Sequence, residues 1–114
     1  MDLQKMSIIG LVEKVIFNKE TQLNARIDTG ATMSSIDIKL AHELGFKKKV
    51  RQIKVRNAHG RSVRDIVLIQ LNISGILIKE EFSLADRSHM RYQVLIGQNI
   101  LNKGFFLINP KLKN

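Results

Sequence analysis

The strongest constraint on the fold of this chain is a short run, Arg26-Ile27-Asp28-Thr29-Gly30-Ala31-Thr32, in which an apolar stretch stops at a carboxylate, a hydroxyl and a glycine. A strand ending in Asp-Thr-Gly can turn sharply, because glycine accepts backbone angles that a residue with a β-carbon avoids. The turn leaves the Asp28 carboxylate at the mouth of the strand, beside backbone N–H groups and the Thr29 hydroxyl. That setting suits a carboxylate that shares a proton with a second one. Taken alone, the triplet is more often an ordinary Asx-type turn between strands. What surrounds it has to decide.

The surroundings read as strands. Ile8 to Phe17 is apolar and β-branched, with a kink expected at Gly10, and Asn18-Lys19-Glu20-Thr21 is a polar turn. Leu23 to Ile27 returns as the strand that carries Asp28. Ser34-Ser35-Ile36 leads into a short helix with Asp37 as N-cap, Leu40, Ala41 and Leu44 on one face and Gly45 at its stop. Residues 50–70 read as a long hairpin whose polar tip is Asn57-Ala58-His59-Gly60-Arg61, and Val67, Ile69, Leu71 and Ile73 share one face of its second strand. Ser74-Gly75 is a two-residue turn into the strand Ile76 to Leu84. A polar loop, Asp86 to Arg91, precedes a strand from Tyr92 to Gly97. Asn99 to Lys103 forms one helical turn stopped by Gly104, and Phe105 to Ile108 is a last strand ended by Pro110. The expected fold is all-β, a small closed barrel with one or two short helices, and residues 1–114 form a single domain.

Composition narrows the classes. With 44% hydrophobic residues but only 5% aromatic, the core is built from Ile, Leu and Val, which favours strands. No apolar run approaches the roughly 20 residues of a membrane span, and the first residues lack the shape of a signal peptide. The absence of cysteine excludes a disulfide framework or a Cys-based nucleophile and fits a reducing, cytoplasmic setting. A net charge of +9 is concentrated in Lys47, Lys48, Lys49, Arg51, Lys54, Arg56, Arg61 and Arg64, with no acid before Asp65. This run is either a solvated face or an attraction for a polyanion, nucleic acid or acidic peptide. No recognition helix, zinc finger or aromatic stacking platform accompanies it, which argues against sequence-specific reading of nucleic acid.

Three features now stand in one order: a strand ending in Asp28-Thr29-Gly30-Ala31, a Gly-tipped hairpin, and an apolar strand ending in Leu95-Ile96-Gly97 before a helical turn. This order resembles the retropepsins, the single-domain aspartic proteases. More closely it resembles the bacterial and archaeal branch commonly labelled ATP-dependent zinc proteases and now regarded as retropepsin-like. The residues that carry the closer likeness are Ala25 to Ser35, Asp86-Arg87 with Met90-Arg91-Tyr92, and Val94-Leu95-Ile96-Gly97-Gln98-Asn99-Ile100-Leu101, so that it spans roughly residues 8–110.

The resemblance implies metal-free amide hydrolysis by two carboxylates about 3 Å apart, one charged and one protonated, that activate water and protonate the substrate carbonyl. This chain carries one Asp-Thr-Gly, so a two-fold homodimer would bring together Asp28 from each subunit. Asp28 is then catalytic, and Thr29, Gly30 and Ala31 form the active-site turn, with Thr29 reaching the partner's backbone. Asn57, Ala58, His59, Gly60 and Arg61 form a flap over substrate. The terminal segments pair in an intersubunit sheet. Arg56, Arg61 and Arg64 supply positive charge toward a peptide or protein substrate, acidic for preference. Association of close relatives with glutamate-ligating enzymes of the ATP-grasp class implies trimming of poly-glutamate tails.

Two departures stand out. Where many retropepsins pair an acid after Asp-Thr-Gly-Ala with an arginine after Ile-Gly, this chain has Thr32 and Gln98, so the brace is a hydrogen bond or absent. The close branch often has proline and arginine where Gln93 and Gln98 stand. His42-Glu43 opens like a His-Glu-x-x-His zinc helix, but position 46 is Phe46, and His59 and His89 sit in other loops. No phosphate-binding loop is present, so neither metal nor cofactor is expected. Two other readings compete: a retropepsin-fold peptide-binding or dimerisation module without turnover, favoured by Thr32 and Gln98, and a basic nucleic-acid or ribosome-associated domain, favoured by the charge.

Overall fold

Apolar residues alternating with polar ones build the first hairpin. The structure, a computed structural model, describes residues 6–58 and 60–112. The apolar stretch splits into β1 (Ser7–Ile9) and β2 (Val12–Phe17). The break falls at Gly10, where a β-carbon would stand 2.6 Å from the Leu112 carbonyl oxygen, so the C-terminal backbone occupies the space of a side chain. β2 pairs with β3 (Thr21–Ile27) from Val12 opposite Arg26 to Phe17 opposite Thr21. Asn18 and Lys19, with φ of 52° and 68°, form the turn whose twist matches the paired strands. Val15, Phe17, Ala25 and Ile27 then point inward and are buried.

The segment Ser34–Asp37 leads into a helix as expected and is itself a strand, β4, buried along its whole length. α1 (Ile38–Glu43) follows it. Asp37 is its N-cap as expected, its carboxylate accepting the Leu40 N–H at 3.3 Å, and Leu40 and Ala41 are its buried face. β5 (Lys49–Asn57) and β6 (Gly60–Ile73) form the long hairpin, and β6 turns at Ser74-Gly75 into β7 (Ile76–Ala85). β8 (Val94–Ile96), α2 (Gln98–Leu101) and β9 (Phe106–Ile108) complete the order. The last strand-turn-strand thus has the expected pieces, each a residue or two shorter or shifted.

The sheet order β2-β3-β8-β4-β7-β6 closes on itself, because β2 also pairs with β6 through Val15–Ile73, Ile16–Asn72 and Phe17–Leu71. The result is a closed six-stranded barrel with two short helices, and β5 extends outward from β6 as a seventh strand. Its interior is one apolar cluster that includes Phe17, Ile36, Phe82, Val94, Ile96 and Ile100, joined by Val67, Ile69, Leu71 and Ile73 from β6. No helix among the described residues is long and apolar enough to cross a membrane.

The termini differ from expectation. β1 and β9 pair in parallel within one chain, Ser7 opposite Phe106, Ile8 opposite Leu107 and Ile9 opposite Ile108. The inner face of this ribbon joins the core, where Ile9 is buried and Phe106 and Ile108 pack against it. Its outer face leaves Ile8 and Leu107 more than half exposed. Any sheet shared between subunits therefore has to form on the outer edges of an already paired ribbon.

Candidate active site

Asp28 sits one residue past the end of β3, where parallel pairing with β8 fixes the backbone: Arg26 lies opposite Leu95 and Ile27 opposite Ile96. The pairing continues as the Asp28 N–H donates to the Ile96 carbonyl at 2.9 Å. The chain then folds back, Ala31 N–H donating to the Asp28 carbonyl at 3.2 Å and Gly30 N–H to the Asp28 carboxylate at 3.0 Å. The carboxylate is thus oriented by its own turn and remains half-buried, while Thr29 and Gly30 are exposed. Gly30 is not in the left-handed region, so the expected reason for a glycine there is corrected. A β-carbon would instead stand 3.3 Å from the Asp28 carboxylate, close enough to push it aside.

A second segment underpins this turn. Gly97 passes so close to it that a β-carbon would lie 2.8 Å from the Ala31 carbonyl oxygen and 2.9 Å from the Met33 carbonyl carbon. Gln98 N–H donates to the Ala31 carbonyl at 2.8 Å, and the Gln98 side-chain amide donates to the Thr29 carbonyl at 2.7 Å. The brace is therefore a neutral hydrogen bond. Behind it, Asn99 Oδ1 accepts from both the backbone N–H of Ser34 (2.9 Å) and its hydroxyl (2.8 Å), and its amide donates to the Glu81 carbonyl at 2.8 Å. The Ser34 hydroxyl in turn accepts the Gly97 N–H at 2.9 Å. Buried polar groups satisfied this fully hold a turn in one arrangement. Local sequence assigns Ser34 no bracing role, because a serine in a short polar segment gives no sign of burial.

A cavity of about 140 Å³ opens beside Asp28, lined by Arg26, Arg87, Met90, Arg91, Tyr92 and Leu95. The loop 86–92 shapes its wall. Arg87 N–H donates to Asp37 Oδ1 at 2.8 Å and its Nε–H to the Tyr92 carbonyl at 3.0 Å, while the Arg91 guanidinium lies over the Tyr92 ring at 5.6 Å. Arg87 is only 8% exposed. Burial lowers its pKa from the ordinary arginine value, and the charges of Arg26 and Arg64 push the same way, opposed by Asp37 and Asp28. A larger hollow, about 620 Å³, lies along Ile16, Asn18 and Leu77 and holds no carboxylate.

The hairpin carries the proposed flap. Its strands pair to the tip, Arg56 opposite Arg61 and Asn57 opposite Gly60; His59 lies outside the described residues. Arg56 and Arg61 line a separate hollow of about 320 Å³ with Lys54 and Val55, whereas Arg64 is near enough for its charge to act on Arg87. Part of the basic run is already neutralised, Lys49 by Asp65 at 3.0 Å and Arg51 by Glu81 at 2.7 Å. The arginines that meet Asp28 in one cavity are Arg26, Arg87 and Arg91, none of them assigned a role from sequence. Among the described residues no group of three His, Asp or Glu side chains converges as a metal site.

Comparison with known proteins agrees with this architecture. A family model described as RimB-like, retropepsin-like aspartic endopeptidase RimB, matches residues 39–114, a span that begins after the Asp28 turn. A Legionella pneumophila protein of unknown function superposes with a TM-score of 0.65 at 19% identity, over 93% of this chain and 95% of its own. The simian foamy virus protease gives 0.61 at 16% identity, over 75% and 86% of the two chains. A foamy viral protease-reverse transcriptase gives 0.60 at 20% identity, over 76% of this chain and 11% of that one. No curated protein sequence matches the chain.

Proposed function

This chain belongs to the RimB-like family of retropepsin-like aspartic endopeptidases, and from that premise we propose that it is a homodimeric aspartic peptidase whose two Asp28 carboxylates act as a pair on a bound water. The observation that carries the reading is the Asp28 turn itself. One carboxylate per barrel is oriented by Gly30 N–H, braced through Gln98 and left accessible on an exposed loop. A lone carboxylate of this kind lacks an acid partner. A second protomer related by a two-fold axis supplies one.

At a separation of about 3 Å the two carboxyl groups share one proton, because two adjacent negative charges are costly. The ionised Asp28 takes a proton from water as its oxygen attacks the scissile carbonyl carbon. The protonated Asp28 gives its proton to the carbonyl oxygen, forming a neutral gem-diol. Return of a proton to the amide nitrogen and loss of a proton from the diol break the C–N bond and restore the shared proton. The pair titrates as a unit. The β5–β6 tip, Asn57 to Arg61, closes over the peptide and excludes water.

Positive charge around the site supports an acidic peptide as substrate, poly-glutamate tails among them. Arg87 lines the cavity beside Asp28, Arg64 is near enough for its charge to act on Arg87, and Arg56 and Arg61 stand at the hairpin tip. The lack of cysteine suits action in the cytoplasm. The alternative reading, a module without turnover, rests on the neutral Thr32 and Gln98 positions, and Asp28→Asn separates the two: a peptidase loses turnover, whereas a binder keeps its ligand.

The test is sedimentation of the purified protein together with turnover of an acidic peptide by the native chain and by Asp28→Asn. A dimer whose turnover disappears in Asp28→Asn is expected. A strictly monomeric protein that cleaves, or a variant that cleaves as well as the native chain, overturns the paired-acid reading.

A further inference from the structure

We propose that the cavity beside Asp28 is a carboxylate-binding subsite in which Arg87 is the recognition residue and Arg26 and Arg91 complete the rim. The inference rests on a peptide reaching Asp28, and it adds the residue that would select which peptide.

A guanidinium carries five N–H donors and keeps its charge, so burying one is costly unless those donors find acceptors. Arg87 spends its Nε–H on the Tyr92 carbonyl. Among the described residues its terminal amino groups have neither a hydrogen bond nor an ion pair, and since no side-chain nitrogen sealed from solvent lacks a partner, these groups open to solvent at the cavity although the residue as a whole is only 8% exposed. The acids nearby make no hydrogen bond or ion pair with the Arg87 side chain, although Asp28 lines the same cavity. Asp37 receives backbone N–H groups on both oxygens, from Arg87 and from Leu40, and Asp28 accepts from Gly30. Arg26 and Arg64 each stand close enough for their charge to act on Arg87, and Arg26 and Arg91 share its cavity, an arrangement that folding alone does not favour. An anion entering the cavity would meet these open donors, and the planar fork of an arginine fits a carboxylate with two parallel bonds.

The loop is built to hold the fork still. Asp37 anchors the Arg87 backbone, the Tyr92 carbonyl fixes Nε, and Arg91 covers the Tyr92 ring. Met90, Tyr92 and Leu95 wall the cavity, so a carboxylate entering it leaves water behind and feels the charge more strongly. The basic tip residues Arg56 and Arg61 line a different hollow; they steer an acidic peptide inward, whereas Arg87 reads one carboxylate of it. That carboxylate belongs either to a side chain or to the peptide's C-terminus, and the chemistry of the pocket is the same for both.

The probes are hexaglutamate, its single-glutamine analogues and its C-terminally amidated form, titrated against Asp28→Asn protein, which binds without cutting. The expected result is that one substitution weakens binding about tenfold more than the others, and that this excess vanishes in Asp28→Asn/Arg87→Gln. A glutamine position so marked identifies a side-chain carboxylate; the amidated peptide so marked identifies the terminus. An unchanged profile in the Arg87 variant overturns the proposal. Should that variant unfold, the Arg87 side-chain ¹⁵N resonance of Asp28→Asn protein gives the answer: it shifts with hexaglutamate at saturation, and no shift overturns the proposal. An Arg87-dependent profile in a chain that never cleaves would leave the subsite standing and remove the peptidase reading; cleavage by native protein with no dependence on Arg87 would do the reverse.

Discussion

Gln98 and Thr29 meet at 2.7 Å across 69 positions of sequence, the Gln98 amide donating to the Thr29 carbonyl. This bond stands beside the main-chain bond from Gln98 N–H to the Ala31 carbonyl, so one residue grips the Asp28 turn twice. Gln98→Ala removes the side-chain grip only. A single hydrogen bond of this kind contributes about 1 kcal/mol to stability, whereas a loosened catalytic turn costs far more in rate. The expected outcome is a melting temperature a few degrees lower with kcat reduced roughly tenfold or more and KM little changed. Equal losses of kcat in Gln98→Ala and in a surface control would show that the grip is unimportant.

Gly97 and Gly30 separate folding from chemistry. A β-carbon at Gly97 meets backbone at 2.8 and 2.9 Å, which nothing flexible can relieve. Gly97→Ala is expected to cost roughly 3 kcal/mol or more, seen as a fall of more than about 10 °C in Tm.

At Gly30 the neighbour is the Asp28 carboxylate at 3.3 Å. On the paired-acid reading, Gly30→Ala is expected to melt within a few degrees of the native protein yet lose turnover by about 100-fold, because a displaced Asp28 carboxylate no longer meets a second acid. Native turnover in Gly30→Ala would show that the carboxylate yields without harm.

Buried Ser34 and half-buried Asn99 form a pair whose loss can be apportioned. Asn99→Ala strands the Ser34 N–H and the Glu81 carbonyl, and a cost of about 2–3 kcal/mol is expected in urea unfolding. Ser34→Ala removes the hydroxyl from the same network. The double variant is expected to cost clearly less than the two singles added, since they share partners. Simple additivity would show that the two residues act independently.

The hairpin carries a pH dependence. The Arg51 hydrogen bonds lower the Glu81 pKa from its ordinary 4.5, and the Gln52 amide, then Lys49, lower that of Asp65 from 3.8. Both folded pKa values lie below the unfolded ones, so the unfolded chain takes up protons first as pH falls. Their contribution is complete above the ordinary values and is lost as pH drops through the folded ones. Both pairs are open to solvent, which keeps the effect small and salt-sensitive. Glu81→Gln/Asp65→Asn is expected to show a flatter fall of Tm between about pH 5 and pH 3 than the native chain. An identical slope would mean that other carboxylates govern acid unfolding.

Local chemistry explains which parts were legible. The Asp28 turn, the Asp37 cap, the Ser74-Gly75 turn and the buried stripe of β6 each depend on residues within a few positions of one another, so their spacing alone reveals them. β4 escaped because both of its faces are buried: its serines hydrogen-bond to α2 and to the adjacent strand β7, Ser34 to Asn99 and Ser35 to the Ser83 carbonyl, leaving no alternation to read. Arg87 escaped for a related reason, since an arginine in a polar loop looks solvated until tertiary packing covers it. The β1–β9 ribbon joins opposite ends of the chain, a pairing that no local pattern encodes.

The long span between Gln98 and the acid turn has a temporal side. During synthesis the Asp28 segment leaves the ribosome well before the residues that buttress it, and until β8 docks, neither the Ile96 carbonyl nor the Gln98 amide is there to receive it. An unfinished polypeptide therefore holds Asp28 without the contacts that orient its turn, and the acid takes its place only once β8 and α2 have docked.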